Sequence, residues 1–172
     1  MEKLLPKPAP LKGSSASAAG KKNAAATPKK KGWVVRYFVH GPSGASTRNV
    51  APSRLITALK AGLPVEELDD LRSSLDLSME KLVPMLGISK ATLHRRKIAG
   101  KLDPAQSDRV VRYARLTGKA VGVLESLESA RKWLGSPQFG LGGAIPLEYA
   151  ETEIGAREVE DLLGRIEYGV YS

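Results

Sequence analysis

The side chains best suited to chemistry lie in one short basic stretch after Ser89. Its donors suit phosphates or the edges of bases, and they are Lys90, Thr92, His94, Arg95, Arg96, Lys97 and Lys101. An arginine can donate two hydrogen bonds to guanine, and positive side chains attract phosphates. This cluster is therefore a candidate nucleic-acid contact, and the alternative is a solvated basic helix face. His94 considered alone is more typical of a polar surface residue.

The residues around this cluster predict a helix-turn-helix between about residues 76 and 118. Ser78 is of a type that begins a helix, and Gly87 suits a tight turn with positive φ. Ser89 then begins the second helix, which carries the basic cluster. Leu93 is expected to point inward as the core anchor of that helix. This order of cap, turn and cap is typical of a helix-turn-helix.

The second predicted helix contains two sets of donors. Its first turns reach base edges in the major groove, a role we assign to Lys90, Thr92, His94 and Arg95. Later positions fix the register on the phosphate backbone, a role we assign to Arg96, Lys97 and Lys101. Pro84 departs from the pattern, because a proline inside the first helix removes a hydrogen bond. It marks either a kink or a later helix start.

A further helix is predicted directly after the motif. Asp103, Pro104 and Gln106 suit its N-cap, first and third positions, and Gly118 is the predicted C-cap. Three arginines add positive charge to this helix: Arg109, Arg112 and Arg115.

Composition argues against several classes of protein. The 172 residues include no cysteine and only His40 and His94, so we expect no disulfide, no metal site and no cofactor. The sequence has no Gly-rich phosphate loop, no Ser/Cys–His pair and no HExxH motif, so we do not expect an enzyme. No apolar stretch approaches the ~20 residues of a membrane span, and the N-terminus lacks the apolar region of a secretory signal. We therefore expect a soluble, cytoplasmic protein.

Charge is distributed unevenly along the chain. Residues 1–31 carry eight Lys and one Glu, and residues 32–77 carry five basic and five acidic groups. Residues 78–119 carry ten basic and three acidic groups, whereas residues 120–172 carry four basic and nine acidic groups. The net positive charge of residues 78–119 should attract phosphates, whereas the net negative charge of residues 120–172 should repel them. Two partners of different charge are the simplest explanation.

The two N-terminal segments differ in character. Residues 1–31 are mainly Ala, Ser, Pro, Gly and Lys and have little to bury, so we expect a disordered basic tail. This tail either follows DNA as a basic arm or is simply solvated. Residues 32–50 begin with strand-type residues from Trp33 to Val39, followed by turn residues, so we expect one short strand and a linker. The strand packs on the chain's own helices or pairs with a partner.

The pattern from Ala51 onward is helical. We expect a mainly α fold, with a helix-turn-helix DNA-binding domain at 51–119 and a small helical domain at 120–172. Apolar residues recur at helical spacing in the second domain, as at Leu124 and Leu127. Trp133 is there more typical of a core residue than of an interface hot spot.

The residues from Ala130 onward form the most tightly specified block of the chain. The block contains Trp133-Leu134, LGG at 141–143 before Pro146-Leu147, TExGAR at 152–157, and VEDLLGRIEYGVYS at 159–172. This combination resembles the C-terminal toxin-binding domain of the Xre/MbcA/ParS family of bacterial antitoxins. The resemblance extends from about residue 45 to residue 172.

The resemblance implies a particular partner and a particular site. Such antitoxins present their C-terminal end to the active-site cleft of a RES-domain toxin, which consumes NAD or uses it to ADP-ribosylate a protein. The tail residues that match the family motif are Glu167, Tyr168, Gly169, Val170, Tyr171 and Ser172. Two basic positions also match it, Arg157 and Arg165. Members often have a basic residue after LGG and a His before the terminal Gly-Val, where this chain has Ala144-Ile145 and Tyr168.

These observations favour a type II antitoxin with two activities. The domain at 120–172 is expected to bind the toxin. The helix-turn-helix is expected to repress the protein's own operon by binding operator DNA, as a homodimer or within a larger toxin–antitoxin complex. The alternative is a helix-turn-helix transcriptional regulator without a toxin partner. The acidic C-terminal segment argues against that alternative, because a repressor does not need it.

Overall fold

The computed structural model describes residues 32–41 and 51–170, and the regular structure in these ranges is helical apart from one isolated bridge. The helices are α1 Val34–His40, α2 Pro52–Ala61, α3 Glu67–Leu75, α4 Met79–Met85, α5 Lys90–Ala99, α6 Pro104–Leu124, α7 Leu127–Leu134, α8 Pro146–Tyr149 and α9 Glu153–Glu167, with a 3₁₀ turn at Phe139–Leu141. The expected mainly α fold is confirmed. The predicted basic tail at 1–31 lies outside the described residues.

The short strand predicted after that tail is wrong, because its residues form helix α1. The carboxylate of Glu67, which is distant in sequence, accepts hydrogen bonds from the backbone N–H groups of Trp33, Val34 and Val35 at 2.8, 2.9 and 2.9 Å. These are donors that the first turn of a helix leaves unsatisfied. Strand-type residues are accommodated in α1 because tertiary contacts outweigh propensity differences of under about 1 kcal/mol per residue.

Helix α6 is the central element of the fold. Helices α1, α3, α7 and α9 all pack against it. The C-cap predicted at Gly118 is wrong, because α6 continues through this residue and ends before Glu125, which has φ 63. A Cβ at Gly118 would collide with the carbonyl oxygen of Phe38. Glycine therefore lets α1 approach α6 closely instead of ending the helix.

The segment between α2 and α3 is joined to the end of α5. The backbone N–H of Val65 donates to the carbonyl of Gly100 at 3.2 Å, and Pro64 and Lys101 form the isolated antiparallel bridge. Leu63 is buried beside them, and its N–H donates to the hydroxyl of Ser107 at 2.9 Å. These contacts place the start of α3 next to the end of the basic helix.

The C-terminal unit consists of α7, α8 and α9 around a closed loop. Gly135 follows the end of α7, and Thr152 is the N-cap of α9, where its hydroxyl accepts from the N–H of Gly155 at 3.0 Å. The N–H of Gln138 donates to the carbonyl of Ala144 at 3.0 Å, which closes the Gly-rich loop between them. The loop is therefore a fixed structure.

Two sets of side-chain contacts attach this unit to the helices before it. The guanidinium of Arg131 donates to the carbonyls of Ser74 and Ser73 at 2.8 and 2.6 Å, at the C-terminal end of α3. The buried Tyr113 of α6 donates its hydroxyl to the carbonyl of Leu147 at 3.2 Å. Burial raises the pKa of Tyr113 to about 12.

In the described ranges, no helix is both long and apolar enough to cross a bilayer.

Candidate functional site

Helices α4 and α5 have the local geometry of a helix-turn-helix. The hydroxyl of Ser78 accepts from the N–H of Lys81 at 3.3 Å, and the hydroxyl of Ser89 accepts from the N–H of Thr92 at 3.1 Å. Gly87 between the two helices has φ +64. Both caps and the turn glycine are therefore confirmed as predicted.

The turn is held from outside by α6. The guanidinium of Arg109 donates to the carbonyl of Leu86 at 2.8 Å, where α4 ends. The side chain of Ile88 is buried under the turn. Pro84 lies one residue before the end of α4, so its missing N–H removes a single hydrogen bond of the last turn. The angle between α4 and α5 is thus set by packing on both sides.

The predicted base-reading residues lie at the exposed start of α5. Lys90, His94 and Arg95 are exposed, and Thr92 is half-buried. The hydroxyl of Thr92 accepts a hydrogen bond from Arg95 at 3.1 Å, which orients that guanidinium. Leu93 is partly buried against the core, in agreement with its expected inward position.

The predicted phosphate-binding residues are placed less uniformly. Arg96 forms an ion pair with Asp103 at 2.8 Å, the residue that caps α6. Lys97 is exposed but lines a cavity with Glu66 and Asp69 of α3. Lys101 is exposed at the bridge to Pro64. Lys101 and the start of α5 therefore present more accessible positive charge than Arg96 does.

Charges of opposite sign meet between α6 and α9. Arg112 donates to the carboxylate of Glu153 at 3.0 Å, and Arg115 donates to Glu160 at 2.7 Å. Arg157 lies 3.4 Å from Glu153 as well. Burial by itself raises the pKa of Glu153, but the hydrogen bond from Arg112 and the neighbouring arginines outweigh it and hold that pKa below its usual value of 4.5. Part of the basic and acidic charge thus pairs within the chain.

The predicted blocking tail begins where α9 ends. Tyr168 follows the helix, and Gly169 has φ +68, so the backbone turns there. The N–H of Val170 donates back to the carbonyl of Arg165 at 2.9 Å. Side chains remain accessible around this turn, since Tyr168 is 79% and Val170 54% exposed. Glu167 is also exposed, while the predicted positions Tyr171 and Ser172 lie outside the described residues.

Some structurally decisive residues were missed by the sequence reasoning. Arg109 and Arg131 were counted only as charge, yet both cap the carbonyl end of another helix. Phe139 is 98% exposed and was not singled out, although a large apolar residue inside a Gly-rich loop is a usable signal. Trp133 is half-buried against the core, in agreement with its expected core role.

Comparison with known families divides the chain in the same order as the fold. Residues 54–115 match the model of the antitoxin Xre-like helix-turn-helix domain. Residues 119–169 match the model of the antitoxin Xre/MbcA/ParS C-terminal toxin-binding domain. The first match contains α4 and α5, and the second contains the Gly-rich loop and the whole of α9. Neither matched domain is an enzyme.

Two of the curated relatives match this chain over most of their own length. An antitoxin Xre of Yersinia enterocolitica is 33% identical over 120 residues, which cover 69% of this chain and 81% of that protein. An antitoxin Xre of Photorhabdus laumondii is 32% identical over 116 residues, covering 66% of this chain and 78% of that protein. A third, from Pseudomonas putida, is 33% identical over 64 residues, which cover 37% of this chain and 40% of that protein. With both units matched in order, the chain belongs to the Xre/MbcA/ParS family of toxin–antitoxin antitoxins.

Proposed function

We propose that this antitoxin neutralises a RES-domain toxin by placing its C-terminal end in the toxin's NAD-binding cleft, and that it represses its own operon. The observation that carries the proposal is the match of residues 119–169 to the toxin-binding domain, which extends to the exposed turn at Gly169. The identity of the toxin as a RES-domain protein rests on the resemblance of residues 159–172 to that family's tail.

The chemistry of the tail is suited to blocking a nucleotide cleft. Tyr168 and Val170 are exposed beside the turn, and Tyr171 follows them in sequence. An aromatic ring can occupy an apolar slot that otherwise receives a ring of the dinucleotide. Arg157 and Arg165 are exposed on the same helix and can pair with carboxylates of the toxin. Occupation of the cleft would then exclude NAD, whether the toxin degrades it or transfers ADP-ribose to a protein.

The toxin proposal is tested with the RES-domain product of the adjacent gene, mixed with the antitoxin and assayed for NAD consumption. The full chain is compared with a chain that ends at Glu167. We expect the full chain to inhibit, and the shortened chain to bind the toxin without inhibiting it. A chain that begins at Gly32 is the matched control, because it also loses an end but keeps the tail. Failure of the full chain to bind the toxin contradicts the proposal, and a regulator without a toxin partner then becomes the better interpretation.

The repressor proposal is supported by the exposed start of α5. Lys90, His94 and Arg95 are exposed in the N-terminal half of α5. In this class of domain, the N-terminal residues of the second helix contact bases in the major groove. Two copies on one operator would contact half-sites about 34 Å apart, so we propose a homodimer, alone or with bound toxin, as the DNA-binding species.

Binding to the DNA upstream of the protein's own gene tests this proposal by fluorescence anisotropy. Arg95→Ala is expected to raise Kd by about tenfold or more, because a bidentate base contact contributes about 1–3 kcal/mol. Lys132→Ala is the control, since this exposed lysine lies on α7 in the C-terminal unit. An equal Kd for both variants would exclude α5 as the recognition helix.

A further inference from the structure

Phe139 is the most exposed large apolar side chain in the described ranges, with 98% of its surface accessible. The backbone that carries it is nevertheless fixed. The N–H of Gly142 donates to the carbonyl of Phe139 at 2.9 Å, and the amide of Gln138 donates to the carbonyl of Trp133 at 2.9 Å. An exposed aromatic ring marks an interaction site when it belongs to a larger apolar patch or borders a groove.

An apolar groove lies directly beside this ring. Its volume is about 440 Å³, and its two walls are the loop at Phe139–Gly140 and the last turns of α9 with Leu162 and Ile166, followed by Val170 after the helix. A Cβ at Gly140 would lie 2.6 Å from a methyl carbon of Leu162, so glycine lets the loop approach α9 closely. Arg165 adds one positive charge to the lining. The groove is large enough to receive an aromatic or aliphatic side chain from a partner.

Position identifies the partner class. Phe139, Leu162 and Ile166 lie within residues 119–169, the part of the chain that matches the toxin-binding domain. Val170 at one end of the groove continues directly into the tail that the proposed function places in the toxin's cleft. A protein that holds the tail must therefore cover the groove as well, and Arg165 favours a carboxylate on its surface.

We infer that this groove is the docking surface for the body of the toxin, which inserts an apolar side chain between Phe139 and Ile166 and places a carboxylate near Arg165. The inference rests on the proposed function and makes it more specific. Docking and blocking become separate tasks of neighbouring surfaces. The groove supplies affinity mainly through Phe139, Leu162 and Ile166, which a chain ending at Glu167 retains, and the residues of the tail close the cleft. Loss of the tail then abolishes inhibition, whereas loss of the groove abolishes binding.

The test measures Kd between the purified full chain and the RES-domain product of the adjacent gene by calorimetry. Phe139→Ser is expected to raise Kd at least about 30-fold, the effect of a central interface residue. Ile154→Ser is the matched control, because Ile154 is 77% exposed but lies in the first turn of α9, about 18 Å along the axis from Ile166. The control is expected to change Kd by less than about threefold. Both variants remove exposed side chains, so unchanged melting temperatures verify their folds.

The outcomes separate the two proposals. If the unmodified chain does not bind the toxin, the proposed function fails. If it binds, and Phe139→Ser binds equally well, the docking inference is overturned while the proposed function stands. Sedimentation of the chain alone tests a second copy as the occupant. A dimer that Phe139→Ser converts to monomer, with unchanged toxin affinity, would assign the groove to contact between copies and overturn the inference.

Discussion

At the level of single residues, Glu67 is an acid whose side chain is fully buried between two helices. It accepts three backbone hydrogen bonds from the start of α1 and so joins that helix to α3. Burial raises its pKa above the ordinary 4.5, outweighing these hydrogen bonds, which lower it. One side chain therefore both initiates a helix and carries an energetic cost when it is ionised.

Replacement of Glu67 by alanine is expected to lower the free energy of unfolding by about 2–4 kcal/mol, because it leaves buried N–H donors without an acceptor. Urea denaturation followed by circular dichroism measures this change. Glu66→Ala is the matched control, since the neighbouring Glu66 forms no side-chain cap hydrogen bond. Its expected cost is at most about 1 kcal/mol, from removal of the helix-dipole interaction. Equal effects of the two substitutions would contradict the role assigned to Glu67.

The same residue predicts a pH dependence. Because its pKa is higher in the folded protein than the usual 4.5, the native state binds more protons than the unfolded chain above that pH. The unfolding free energy of the unmodified protein should therefore fall, relative to Glu67→Gln, as pH rises from 4.5 through the raised pKa. Urea titrations of both proteins at several pH values measure the difference. An unfolding free energy of the unmodified protein that stays constant or rises relative to that of Glu67→Gln, as pH rises, would refute the prediction.

At the level of elements, α6 connects the two functional units. Its first half packs under the helix-turn-helix, where Arg109 fixes the end of α4. Its middle contacts α9, where Arg112 and Arg115 bind Glu153 and Glu160. The boundary predicted at residues 119–120 falls inside this helix, and so does the gap between the two family matches. Helix α6 therefore belongs to the packing of both units.

Two glycines of α6 provide a direct test of its packing. Gly118→Ala is expected to lower the unfolding free energy, because the new Cβ would collide with the carbonyl oxygen of Phe38 in α1. Gly122→Ala in the same helix meets nothing within 4 Å and is expected to raise it by about 0.5–1 kcal/mol, the helix preference of alanine over glycine. Thermal unfolding of both variants measures this. A stabilised Gly118→Ala protein would show that α1 does not contact α6 closely.

At the level of the whole molecule, the excess of positive charge belongs to residues 1–31 and 78–119 of the sequence. Gly32, the first residue that the structure describes, lies against Glu67 and Asp70 of α3. The N–H of Val65, just before α3, donates to the carbonyl of Gly100 at the end of α5. The eight lysines of residues 1–31 precede Gly32 in the sequence and are a second source of positive charge.

Removal of residues 1–31 tests whether this segment contributes to DNA binding. We expect the slope of log K against log salt to become shallower by about 3, since each phosphate that a lysine neutralises contributes about 0.9 to the slope. Anisotropy titrations at several salt concentrations measure the slope. A chain in which the eight lysines are replaced by glutamine separates charge from length and should behave like the shortened one. Identical slopes for all three proteins would show that the segment is only solvated.

Much of the fold is encoded locally and could be predicted from the sequence. Ser78, Ser89 and Asp103 cap their helices as predicted, because a cap depends on residues only two or three positions apart. Gly87 and Gly169 adopt positive φ for a similarly local reason. The resemblance to antitoxins was likewise carried by short fixed spacings.

The errors arose where distant residues meet. Trp33 to Val39 have strand-type side chains, and only Glu67, brought close by folding, supplies the acceptor that makes them a helix. Gly118 looks like a helix end until the carbonyl of Phe38 occupies the space beside it. The sequence by itself therefore determined the caps, the turns and the family. Only the tertiary structure decided the state of α1, the pairing of charge between α6 and α9, and the groove beside Phe139, because each depends on contacts between residues far apart in the chain.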